Sequence, residues 1–94
     1  MNSNNKLFHF KKSRGEVLRE LREKKGFKSA YKFALSIYMI PSQYSRYENG
    51  KNLTARTIYN LLEHLDVSHS TYYRRVDKLT NQKLEEDEAK KSKK

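Results

Sequence analysis

The chain has 94 residues and a mass of 11.3 kDa, room for one small domain with tails and none for a two-domain enzyme. It contains no cysteine, which excludes a disulfide framework and a thiolate zinc site and leaves stability to a conventional core. With 21 Lys and Arg against 11 Asp and Glu, the net charge is +10 and the pI about 9.9, so polyanions are the expected partners.

The basic charge is uneven. Residues 1–34 hold ten cations against three acids, residues 35–60 three against one, and residues 61–94 eight against seven, which weights the polyanion-facing surface to the front. The longest apolar run, Phe33 to Ile40, contains Ser36 and is far short of the roughly 18 residues a membrane span needs. No apolar secretory stretch follows Met1, so an intracellular, cytoplasmic location is expected, with no membrane partner.

In chain order, residues 1–13 read as a flexible N-terminal arm, with Leu7, Phe8 and Phe10 available to pin it. Val17, Leu18, Leu21 and Lys25 at helical spacing, with Gly26 as a stop, predict a first helix over residues 14–25. Its Glu16, Glu20 and Glu23 interleave with Arg19, Lys24 and Lys28, as on a solvated helix face. Ser29 is an N-cap for a second helix facing inward with Phe33, Ala34 and Ile37. Pro41, favoured at a first helical position, opens a third helix over 41–48 with Tyr44 and Tyr47 on one side. Thr54 caps a fourth, with Ile58, Leu61, Leu62 and Leu65 at intervals of three and four. Ser68 caps a fifth that carries Tyr72, Val76 and Leu79 inward. Tyr44, Tyr47 and Tyr59 are assigned to the core. Residues 80–94, with few apolar positions and blocks of like charge, read as a frayed helix end and a charged, disordered tail. The sum is an all-α, compact five-helix bundle whose domain occupies residues 14–79.

The string Ser45-Arg46-Tyr47-Glu48-Asn49-Gly50-Lys51 follows Tyr44, which stands ten residues after Ala34; Leu18-Arg19-Glu20-Leu21-Arg22 precedes them and Leu61-Leu62-Glu63-His64-Leu65 follows. With these residues the segment Gly15 to Tyr73 resembles the lambda-repressor-like helix-turn-helix family of the Cro and xenobiotic-response-element type. The resemblance implies that helix 41–48 enters the DNA major groove, giving the base-reading role to Pro41, Ser42, Gln43, Ser45 and Arg46. Arg46 matches guanine O6 and N7 bidentately, and Gln43 can pair with adenine. It also assigns Lys28, Ser29, Asn49, Lys51, Asn52, Thr54 and Arg56 to backbone phosphates, and makes Arg22 and Glu48 a buried structural ion pair.

The chain departs from the family pattern at several positions. Tyr38 stands where the family's turn carries Gly, so either it adopts the left-handed conformation or the turn is remodelled. Ala30 stands where a Gln commonly braces the recognition helix, Ile40 and Pro41 replace that helix's usual polar start, and one extra residue within Phe27-Lys28 precedes the second helix.

No Gly-rich phosphate loop, catalytic carboxylate pair or acid cluster is present, and His9, His64 and His69 are too scattered for a metal site. The expectation is a non-enzyme with no cofactor and no metal. The leading function is a sequence-specific double-stranded DNA-binding transcriptional regulator, a bacterial or phage repressor, acting as a homodimer. Its dimer surface could be the fifth helix at Tyr72, Tyr73 and Val76 or the arm at Leu7, Phe8 and Phe10. The alternative is an antitoxin-like protein-interaction module that engages a protein partner through its C-terminal tail and binds DNA weakly.

Overall fold

The helix boundaries follow from local chemistry at each break. A computed structural model describes residues 3–92 as five helices: α1 (Ser3–Lys24), α2 (Ala30–Ser36), α3 (Pro41–Glu48), α4 (Ala55–Leu65) and α5 (His69–Ser92). Three of the starts have hydroxyl caps, Ser29 accepting from the Lys32 N–H, Thr54 from the Thr57 N–H and Ser68 from the Thr71 N–H, each at 3.2 Å. Such caps each stabilise a helix by about 1 kcal/mol. α3 lacks a capping side chain and opens instead on Pro41, which has no N–H to leave unpaired.

Four helix ends share one solution, a left-handed residue that lets the following amide reach back to the helix's last carbonyls. At the end of α1 the Phe27 N–H bonds Arg22 O and Gly26 has φ 109°. At the end of α3 the Lys51 N–H bonds Arg46 O and Gly50 has φ 80°. The same pattern closes α2 at Tyr38 (φ 59°), with Met39 N–H to Ala34 O at 2.9 Å, and α4 at Asp66 (φ 57°). Of the two possibilities for Tyr38, the left-handed conformation is therefore the one adopted. Its side chain is 99% exposed, so the ring meets no packing constraint.

The core gathers Val17 and Leu18 from α1, Phe33 and Ala34 from α2, Tyr44 and Tyr47 from α3, the α4 leucines with Ile58, and Tyr72 and Val76 from α5. Phe33 sits at the centre of an aromatic chain, edge-on to Phe27 and to Tyr44 with centroids 5.2 Å apart in both pairs. Each such pair adds about 0.5–1.5 kcal/mol beyond its buried area. Tyr59, expected in the core, is 53% exposed and lies beside His69 on the surface. It falls on the outer face of α4, one position after Ile58, which takes the inward place.

The ends of the chain differ most from expectation. Residues 3–13 are not an arm but the first turns of α1, and residues 80–92 are not a disordered tail but the continuation of α5. Met1, Asn2, Lys93 and Lys94, the remainder of those segments, lie outside the described residues. The two long helices run antiparallel and pack along each other. His9 meets Asp87 at 2.6 Å, Glu16 meets Lys83 at 2.8 Å, and Glu20 takes two bonds from Arg75 at 2.9 and 2.8 Å. Beneath these pairs Ser13 and Thr80 are buried, Leu84 is 8% exposed, and the Tyr72 hydroxyl donates to the Arg14 carbonyl at 2.9 Å. Neither segment holds enough apolar surface to offset its own ordering entropy; each is ordered because the other covers its one apolar face. The pairing also uses up Tyr72 and Val76, both fully buried, leaving Tyr73 half-buried and Leu7 and Phe8 exposed. No described helix is long and apolar enough to cross a membrane.

Candidate nucleic-acid interface

α3 is fixed from beneath, which frees its upper face. Tyr44 is fully buried and Tyr47 6% exposed, while Ser42, Gln43, Ser45 and Arg46 are exposed and Pro41 is half-buried. The C-terminal end of α3 is locked by Glu48, whose carboxylate accepts from Arg22 Nε at 2.7 Å and Arg22 Nη2 at 3.2 Å. Arg22 Nη1 donates to the Phe27 carbonyl at 2.7 Å, so one guanidinium ties α1, the loop before α2 and the end of α3 together. The pair is nearly dry, with Arg22 4% and Glu48 11% exposed. The hydrogen bond to Glu48 raises the Arg22 pKa above its ordinary value despite the opposing effect of burial. Tyr44 lies beside the pair, and its pKa is pushed far above the usual tyrosine value by burial first and the Glu48 carboxylate second.

Two glycines permit this close seating. A Cβ on Gly15 would meet the Glu48 carbonyl oxygen at 2.3 Å, and one on Gly50 would meet the Lys11 carbonyl oxygen at 2.4 Å. α1 therefore runs directly across the end of α3, backbone against backbone.

The expected contact residues fall into separate groups. Arg46, Lys51, Asn52 and Thr54 line one cleft after α3. Lys28 and Ser29 line a different, smaller depression with Gly26 and Lys32 at the start of α2. Asn49 is exposed on the α3 C-cap and its Nδ2 donates to Ser45 O at 3.0 Å. Arg56 is exposed in the first turn of α4 and lines neither depression. Gln43 is exposed, yet its Nε2 donates to the Tyr47 hydroxyl at 2.7 Å. The Ser29 and Thr54 hydroxyl oxygens each accept one backbone N–H of their own helix. None of α2, α3 and α4 has an acid in its first turn, so the partial positive charge of their free amides is not neutralised.

Two residues not assigned from the sequence, Lys11 and Arg14, complete the cleft after α3. Lys11 fell within the expected arm. The signal that pointed to both was the excess of cations over acids in residues 1–34.

A short helix held outward at fixed angle by a preceding helix and turn, with cations beside it, defines a helix-turn-helix DNA-binding domain. The profile of the helix-turn-helix domain family matches residues 15–78, and the chain belongs to that family, which makes it a DNA-binding regulator by class. No curated protein and no solved structure matches it at significant similarity.

Proposed function

We propose that this protein is a sequence-specific repressor of transcription that reads the DNA major groove with α3 and acts as a homodimer in a bacterial or phage-infected cell. The observation that carries the reading is the division of α3 into a buried tyrosine face and an exposed face of Ser42, Gln43, Ser45 and Arg46. Arg46 reads guanine through its two-pronged guanidinium. Gln43 donates one amide hydrogen to Tyr47, which leaves its carbonyl oxygen and its second amide hydrogen for a base edge, the acceptor and donor that adenine N6 and N7 match. Ser42 and Ser45 add short polar contacts, and Pro41 contributes an apolar edge.

Phosphate positioning falls to Lys28 and Ser29 on one side of α3 and to Asn49, Lys51, Asn52, Thr54 and Arg56 on the other. With Ser29 and Thr54 hydroxyls committed to their caps, these two act through backbone amides or hydroxyl donation. An eight-residue helix reads few base pairs, so two copies on half-sites about 34 Å apart supply the specificity.

Selection from a randomised duplex pool at near-physiological salt tests the proposal, followed by comparison of the enriched sequence with scrambled DNA. A two-fold symmetric motif bound about 10³-fold or more tighter than scrambled duplex is expected. Recovery of no motif, with affinity that vanishes as salt rises, would refute sequence-specific regulation.

A further inference from the structure

The N-terminal half of α1 brings cations to the α3 end of the molecule that the helix-turn-helix motif does not supply. Lys11 and Arg14 face Lys51 and Arg46 across the cleft formed by α1 and the loop after α3. No acid lines this cleft, and among the described residues none of these four cations makes an ion pair. Four cations elsewhere have an acid partner, Arg22 with Glu48, Lys25 with Asp66, Arg75 with Glu20 and Lys83 with Glu16; what distinguishes the cleft is that four cations converge on it with no acid in its lining. Like charges gathered without counter-charge repel one another, and a shared anion relieves that repulsion.

The cleft is also held in shape. Arg14 Nη1 donates to the Leu53 carbonyl at 3.0 Å, and its guanidinium carbon lies 5.5 Å from the Phe10 ring centre. The Arg14 Nε is buried with no hydrogen-bond partner. Gly50 presses its backbone onto the Lys11 carbonyl, so the loop cannot drift from α1. Lys11 itself is exposed at the rim, upstream of the residues 15–78 matched by the family.

We propose that Lys11 and Arg14, together with Lys51, clamp a backbone phosphate of duplex DNA beside the base pairs read by α3, extending the footprint of the domain through the lengthened α1. The inference rests on the DNA-binding reading above. Lys11 supplies a mobile point charge, Arg14 a pre-positioned one, and Lys51 the opposing wall.

The test measures duplex affinity against salt, on the selected site and on random sequence, for the full chain, Lys11→Gln and Lys24→Gln. Lys24 lies about 20 Å from Lys11 along α1 at 1.5 Å per residue and lines the α1–α5 groove instead, so its replacement controls for net charge. Lys11→Gln is expected to reduce the log–log salt slope by about 0.9 on both duplexes and to weaken binding several-fold, while Lys24→Gln leaves the slope unchanged. Arg14→Lys, which keeps the charge but not the Leu53 bond, should retain the slope. A neutral methylphosphonate scanned along the backbone should weaken the unaltered protein at several contacted phosphates, and at one of them per half-site the loss should be smaller for Lys11→Gln than for the unaltered protein. Unchanged slopes for Lys11→Gln in a protein that still binds its selected site would overturn the clamp and leave the DNA-binding reading standing. Absence of duplex binding by the unaltered chain would overturn both.

Discussion

Replacing Gly15 by alanine sets two effects of opposite sign against each other. In a helix interior alanine gains about 1 kcal/mol over glycine in propensity. At this position the new Cβ would stand 2.3 Å from the Glu48 carbonyl oxygen and 2.6 Å from both the Glu48 carbonyl carbon and the Gly50 nitrogen. These are backbone atoms, so no side chain can swing aside. Relief requires the end of α3 to retreat by about 1 Å, from 2.3 Å to ordinary contact near 3.4 Å. That end carries the 2.7 Å Arg22–Glu48 bond. Overpacking costs about 1–3 kcal/mol, and a weakened buried pair adds a share of its 3–5 kcal/mol. After the propensity gain, Gly15→Ala should lose roughly 1–4 kcal/mol, with Tm falling about 4–8 °C for each kcal/mol lost. Urea titration followed by helical circular dichroism reads the loss as a lower midpoint at constant slope. A midpoint equal to or above that of the unaltered chain would refute the close seating of α1 on α3.

Further outcomes follow from other sites. Glu48→Gln leaves the Arg22 charge buried and half-paired and should cost about 3–5 kcal/mol; a loss below 1 kcal/mol in the same titration would show that the pair is hydrated. Tyr38→Gly removes the left-handed penalty of about 1–2 kcal/mol with no packing to lose, and after the added unfolded-state entropy of about 0.4–1 kcal/mol should raise the melting temperature; a drop would show that the ring contributes contacts. The Tyr44 and Tyr72 hydroxyls have raised pKa values, chiefly through burial, so both states keep these protons below about pH 10 and only the unfolded chain releases them above it. Stability is therefore fully present below pH 10 and declines above it, by about 1.4 kcal/mol per pH unit for each group; Tyr44→Phe should remove one share of that decline, and an unaltered alkaline slope would contradict it. Arg46→Ala should cost about 1–3 kcal/mol on the selected site and relax preference at one base pair; equal losses on selected and random duplex would remove Arg46 from base reading.

The sequence determined the middle of the molecule, and the reason is that short helices are delimited by local chemistry. Ser29, Thr54 and Ser68 name the caps, Pro41 opens α3, and Gly26 and Gly50 mark the left-handed stops, all within a few residues of the breaks they cause. The spacing of Tyr44 and Tyr47 likewise fixed which face of α3 turns inward, and hence which side chains are exposed. Tyr38 shows where local reading stops short: the residue disfavours the conformation it adopts, and the Met39 bond to Ala34 together with open solvent around the ring make that conformation the one used.

Only the tertiary structure decided the ends. Residues 3–13 and 80–92 are each too polar to order alone, and their pairing through His9 with Asp87, continued by Glu16 of α1 with Lys83, spans most of the chain length, a separation no local pattern records. The packing of α1 on α5 buries Tyr72 and Val76 within one copy, and α1 carries Lys11 and Arg14 to the side of α3. Charge composition placed the excess of cations at the front of the chain; the antiparallel packing of α1 on α5, and the glycine contacts of α1 with α3, determine where on the surface those cations stand.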